Sequence, residues 1–162
     1  RIHPQFGVYI GKDGRPWHQW KHNKTHRMGI HCRMQPPPKT EMGVRELMVD
    51  TNWWKTFAAE RLAATMGADK SLMLWDDVPA RHRMFAEHCV SETPVVVTGK
   101  AGNEVIEWRQ ETQHLNNDYW DCLVGNCVLA SVEGVRVDVQ DDALRKQKPK
   151  RNKRTAPTFV GI

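Results

Sequence analysis

Asp118 and Asp121 stand three residues apart in the stretch LNNDYWDCLVGNCVLASVEG. On a helix that spacing puts two carboxylates on one face, where they could converge on a cation. Asp118 falls in the first turn, a position where an acid also complements the helix dipole. Asp121 lies about one turn in, between Trp120 and an apolar run, where full burial of an unpaired carboxylate would cost on the order of several kcal/mol. It therefore calls for a basic partner or a metal ion, and the residues alone leave both open. Asp50 ends a predicted strand and precedes a predicted helix, a frequent place for an acid that works on phosphate or metal, and Lys55 follows one turn later. Helix capping accounts for Asp50 equally well.

Five of the eight histidines, His3, His18, His22, His26 and His31, fall in the first forty residues, the last beside Cys32. Their spacing matches no standard zinc finger, and contacts from histidine and lysine to phosphate suit the local charge better. GKAGNE lacks the spacer and the Lys-Ser/Thr of a Walker A loop, so the chain shows no ATPase motif.

The net charge of +5 hides an asymmetry: residues 1–40 carry +7, residues 41–144 carry −9, and residues 145–154 carry +7. Basic ends flanking an acidic middle are expected if the ends meet a polyanion and the middle holds carboxylates for another purpose. The length suits one domain, and no run of eighteen apolar residues is present to span a membrane. Cys32, Cys89, Cys122 and Cys127 form no CxxC pair and read as free thiols of a reducing cytoplasm.

These residues need elements to hold them. FGVYIGKDGRPWHQW alternates across Asp13-Gly14 and predicts a hairpin from Phe6 to Trp20. Pro36, Pro37 and Pro38 predict a loop or extended connector. Leu47 to Val49 reads as a strand, followed by a helix capped by Asp50 or Thr51 and stopped at Gly67, with Trp54, Phe57, Ala58, Arg61 and Leu62 on its core face. A second helix starts at Asp76 or Asp77 and turns Phe85, His88 and Cys89 inward. Pro94 to Thr98 and Glu104 to Trp108 read as two strands joined by a Gly-rich turn, and the last helix is capped by Asn116 or Asn117. The sum is a mixed α/β sheet with helices packed on it.

VDTNWWKTFAAERL, RHRMFAEHCVSE, VIEWR and NNDYWDCLVGNCVLAS, in this order, resemble the C-terminal nuclease part of the large terminase subunit of tailed bacteriophages, in its lambda-like branch. The resemblance runs from about Val44 to Gly134. It implies an RNase H-like fold, here an incomplete, C-terminal portion of the domain. On that reading residues 1–43 are a basic hairpin and proline-rich connector, 44–134 the nuclease core, and 135–162 a basic, disordered tail.

The resemblance further implies a metal-dependent endodeoxyribonuclease that cuts concatemeric viral DNA during packaging. The family's closing motif, an Asn and then an Asp four residues later followed by Cys-Leu-Val-Gly, is matched by Asn117, Asp121 and Cys122 to Gly125. This makes Asp121 the last acidic metal ligand. Asp50 and Lys55 match the Val-Asp-Thr motif and the lysine after it, with Asp50 either a ligand or a brace of the site. Where this chain has Asp118 the family more often has His, which leaves Asp118 without a ligand role. The implied cofactor is Mg²⁺ or Mn²⁺ in a two-metal site completed by acids upstream of Arg1, so the chain alone is expected to cut poorly. ATP would enter only through a separate motor domain. The implied partners are double-stranded DNA, the small terminase subunit and the portal protein, in the cytoplasm of the bacterial host and without a membrane. The competing reading is a noncatalytic DNA-binding or portal-docking module in which Asp121 belongs to a structural ion pair.

Overall fold

The computed structural model describes residues 4–21, 24–36, 45–100, 102–110 and 115–135. The proline connector from Pro37 onward and the basic tail from Arg136 onward lie outside the described residues.

Four strands, β1 (Gln5–Val8), β2 (Arg27–Gly29), β3 (Cys32–Met34) and β4 (Leu47–Asp50), form one sheet in the order β1-β4-β3-β2. β4 runs parallel to β1 and antiparallel to β3, and β3 runs antiparallel to β2. In the two central strands the buried side chains alternate: Cys32 and Met34 on β3, Leu47 and Val49 on β4. That two-residue period is what a strand with one covered face requires. The cover is α1 (Thr51–Ala63) and α3 (Asp118–Val132), which add Trp54, Phe57, Ala58, Trp120, Val124 and Val128 to the same core.

α1 starts where predicted. Asp50 is its N-cap and accepts a hydrogen bond from the Trp53 N–H, satisfying one of the donors that a helix start leaves free. The helix stops at Ala63, four residues before Gly67. Trp54, Phe57 and Ala58 are buried as their spacing predicts, and the Arg61 guanidinium lies 4.4 Å from the centre of the Phe57 ring. α2 (Arg83–Cys89) follows a 3-10 turn, Pro79–His82, that Asp76 secures by accepting from the Val78 N–H and pairing with Arg81.

β5 (Glu92–Thr98) and β6 (Glu104–Gln110) pair antiparallel as a separate two-stranded sheet. Each is longer than the predicted strand, and Gly102 takes the turn with φ of +78°. Asn52 on α1 links this sheet to the rest: its Nδ2 donates to the Ile10 carbonyl and its Oδ1 accepts from the Trp108 N–H.

The predicted Phe6–Trp20 hairpin does not form. β1 pairs with β4 instead, and the would-be second arm is a 3-10 turn over Trp17–Gln19. The Asp13-Gly14 turn is present, closed by Gly14 N–H to Gly11 O at 2.8 Å. The chain on either side of it is drawn to other partners. Trp17 packs on Trp20 and His31, and the Lys12 N–H donates to Glu107 on β6. Glu107 is buried, and its carboxyl is held down at about 2, first by the Tyr9 hydrogen bond, then by Arg109 and the Lys12 N–H.

The side chain of Gln5 on β1 reaches α3 at Gly125. The Gln5 amide donates to the Gly125 carbonyl at 3.2 Å, and a Cβ at Gly125 would meet Gln5 Oε1 at 3.1 Å. Among the described residues, no helix is long and apolar enough to cross a membrane.

Candidate active site

Lys55 projects from the second turn of α1, and its ammonium is buried among groups that two other elements supply. Nζ lies 2.7 Å from each oxygen of Glu92, the first residue of β5, and 2.9 Å from Asp121 Oδ1 on α3. Asn117, at the N-cap position of α3, does not cap the helix with its side chain. Its Nδ2 instead donates to Glu92 Oε1 at 2.7 Å and Asp121 Oδ2 at 3.1 Å. Two carboxylates are thus bridged twice, by an ammonium and by an amide.

The burial of the members differs. Lys55 and Glu92 side chains are 7% and 6% exposed, whereas Asp121 is 53% exposed. Asp121 was expected to need a basic partner or a metal, and it has the basic partner, Lys55, without being fully buried. α3 turns Trp120, Val124 and Val128 to the core and leaves Asp121 at the rim, where one oxygen reaches inward to Lys55 and solvent reaches the rest. A cluster with a dry interior and a wet acidic mouth can neutralise, hold or exchange a cation, and can present charge to a phosphodiester.

Of the residues singled out from the sequence, Lys55 and Asp121 come together, joined by Asn117. Asp118 at the start of α3 is exposed and stands apart from this network. Glu92 was missed. It opens a strand directly after the HCVS stretch, and a buried acid at a strand start carries no local sequence signal; its partners lie 37 and 25 positions away in the chain.

Asp50 serves a different neighbourhood. It is buried, and both oxygens are engaged: Oδ1 by the Trp53 N–H, Oδ2 by His31 Nδ1 at 2.8 Å. The Asp50 N–H in turn donates to the His31 carbonyl. His31 is clamped between Trp53, whose ring centre is 4.3 Å away and whose plane is nearly parallel at 7°, and Trp17 at 5.9 Å. Cys32, next to it, points into the core, and burial pushes its thiol up to about 11. All four cysteines are free. Among the described residues, no group of three or more His, Cys, Asp or Glu side chains is gathered closely enough to hold a metal ion.

Compared with known protein families, residues 9–147 match the model described as the terminase large subunit gpA endonuclease domain. The matched span includes the Lys55, Glu92, Asn117 and Asp121 cluster. Comparison with curated proteins and with solved structures returns no match.

Proposed function

This chain belongs to the terminase large subunit gpA endonuclease domain family, and from that premise we propose that it is the nuclease part of a lambda-like terminase that cuts concatemeric DNA during phage genome packaging. The observation that carries the reading is the convergence of Glu92 and Asp121 on one cationic position, with the outer carboxylate open to solvent. In the proposed reaction the substrate is double-stranded DNA and the bond broken is a phosphodiester.

Asp121 and Glu92 are the residues that would hold a divalent cation, Mg²⁺ or Mn²⁺. Carboxylate oxygens are the hard donors such an ion takes, but Lys55 and Asn117 engage all four of them here, so the ion would have to displace the Lys55 ammonium. Further ligands would come from outside the described residues. When bound, the ion would supply Lewis-acid charge at the phosphate. Lys55 offsets the mutual repulsion of the two carboxylates, and Asn117 fixes the orientation of both. Asp50, bonded to the Trp53 N–H and to His31 away from this cluster, acts as a brace that sets the start of α1 and so the direction of Lys55. An RNase H-like arrangement fits a sheet mixing parallel and antiparallel pairs and carrying its last acid on a helix packed against it. The family assigns the chain a place in packaging; the small terminase subunit and the portal are the proposed partners, in the host cytoplasm.

The 2.9 Å contact between Asp121 and Lys55 also favours a second reading, a DNA-binding or portal-docking module in which Asp121 is only an ion-pair member. Nicking of supercoiled plasmid in Mg²⁺ or EDTA separates the two, using the full-length protein that carries this chain and its Asp121→Asn variant. Metal-dependent nicking that the substitution abolishes, with circular dichroism unchanged, supports the nuclease. Nicking that survives it, or none from well-folded wild type, supports the docking module.

A further inference from the structure

Lys55 and the residue after it in α1 face different surroundings. Thr56 lines a cleft of about 420 Å³ that opens between the start of α1, the loop after β1 and the start of β6. Ile10, Pro16, Val105 and Ile106 give it apolar walls, and His31 and Glu104 supply polar groups at its lining. Because Lys55 and Thr56 are consecutive, the cleft and the acidic cluster occupy adjoining faces of one helix.

His31 is held in this cleft more firmly than packing alone requires. Its backbone is in the left-handed region, with φ of +43°, uncommon for a residue with a side chain. Trp17 and Trp53 clamp the ring, and Asp50 holds Nδ1 at 2.8 Å. A carboxylate only accepts, so Nδ1 carries the proton and Nε2 of the neutral ring is left as an acceptor. Among the described residues Nε2 has no hydrogen-bond partner, nor does the carboxylate of the exposed Glu104. The cleft thus pairs apolar walls with two acceptors. Lys12, Arg15 and Lys21 are exposed on the same loop and the turn after it, placed to meet phosphates.

We propose that this cleft receives one unpaired nucleobase of the DNA strand next to the acidic cluster, with Glu104 and His31 Nε2 reading hydrogen-bond donors on the base edge. The proposal rests on the DNA-cutting reading above. An apolar slot with a few polar groups at its edge is how proteins hold a base taken out of the stack. Two acceptors can both be met by the two N–H of an exocyclic amine, which adenine and cytosine carry, whereas unpaired thymine offers a single N3–H.

The test measures binding of short single-stranded dA, dC and dT oligomers and of a blunt duplex to the full chain in EDTA, by fluorescence anisotropy. Wild type is expected to bind dA and dC roughly tenfold more tightly than dT. Glu104→Leu, at an exposed position, should bring that ratio close to one. Ile106→Trp, which fills the cleft from a partly exposed position, should weaken every single strand and leave the duplex unchanged. Equal affinities in wild type, or a base preference that survives Glu104→Leu, would overturn the proposal. Asp121→Asn should keep the preference. Since this measurement needs no metal and no cutting, loss of the base preference and failure of the nicking test are independent results.

Discussion

Lys55 Nζ lies 2.7 Å from both carboxylate oxygens of Glu92, and neither side chain is more than 7% exposed. Two charges removed from water in this way are held by each other, and removing one leaves the other stranded.

Lys55→Ala is therefore expected to lower stability by about 3–5 kcal/mol. Asp121→Asn, at a carboxylate 53% exposed, should change it by about 1 kcal/mol or less. Urea denaturation of both variants checks this contrast. Equal losses would mean that Asp121 is as desolvated as Glu92 and that the cluster has no wet acidic mouth.

The two fully buried tryptophans should respond differently to phenylalanine. Trp54 Nε1 donates to the Ile30 carbonyl at 3.1 Å, whereas Trp120 Nε1 is buried with no partner among the described residues. Trp54→Phe loses a bond and leaves a carbonyl unsatisfied; Trp120→Phe removes an unpaired donor. With similar volume lost in each, Trp54→Phe is expected to be more destabilising by about 1 kcal/mol. A reversed order in thermal or urea unfolding would show that Trp120 Nε1 has a partner.

Glu107 ties stability to acid pH. Its carboxyl is depressed from the ordinary 4.5 to about 2 by Tyr9, Arg109 and the Lys12 N–H. Between those values the unfolded chain binds more protons than the folded one. The contribution of Glu107 is thus complete above the ordinary value and is lost as pH falls through the folded value. Glu107→Gln should give a flatter stability profile from about pH 4.5 to about pH 2. Parallel profiles for wild type and variant would refute the anchoring role.

Gly125 is where α3 meets the Gln5 side chain of β1. Alanine there meets only the far end of the flexible Gln5 side chain, at 3.1 Å, and gains helix propensity, so Gly125→Ala should be neutral or stabilising by up to about 1 kcal/mol. Gly125→Leu should destabilise by about 1–3 kcal/mol, because it overpacks the space held by the Gln5 side chain and displaces its bond to the helix. Calorimetry on the pair distinguishes a close-approach glycine from a merely tolerated one.

Much of this architecture was legible in local pattern. A short strand was legible at Leu47 to Val49, one residue short of its observed end, a cap at Asp50 or Thr51 marked the start of α1, and helical spacing picked out Trp54, Phe57 and Ala58. The hairpin reading failed over Lys12–Trp20 because the Lys12 N–H and the Trp17 ring find partners on Glu107 and His31, which no local period can reveal. The same limit governed the site. Helix periodicity placed Trp120 inside and Asp121 on a neighbouring face, but what meets that face is a lysine 66 positions earlier, bridged to an acid from a third element. The sequence left a basic partner and a metal open for Asp121; only the fold could bring Lys55 to it.

β5 and β6 bond to each other along their whole length, yet among the described residues no strand pairing joins them to the four-stranded sheet. The hairpin is moored through side-chain bonds: Asn52 to Trp108, Lys55 to Glu92, and Glu107 to the Lys12 N–H. Such a segment can detach as one cooperative unit at lower free energy than global unfolding, and its amides would then exchange with solvent as a block. Its first strand supplies Glu92, so the same local opening would take the acidic cluster apart and reassemble it on closing.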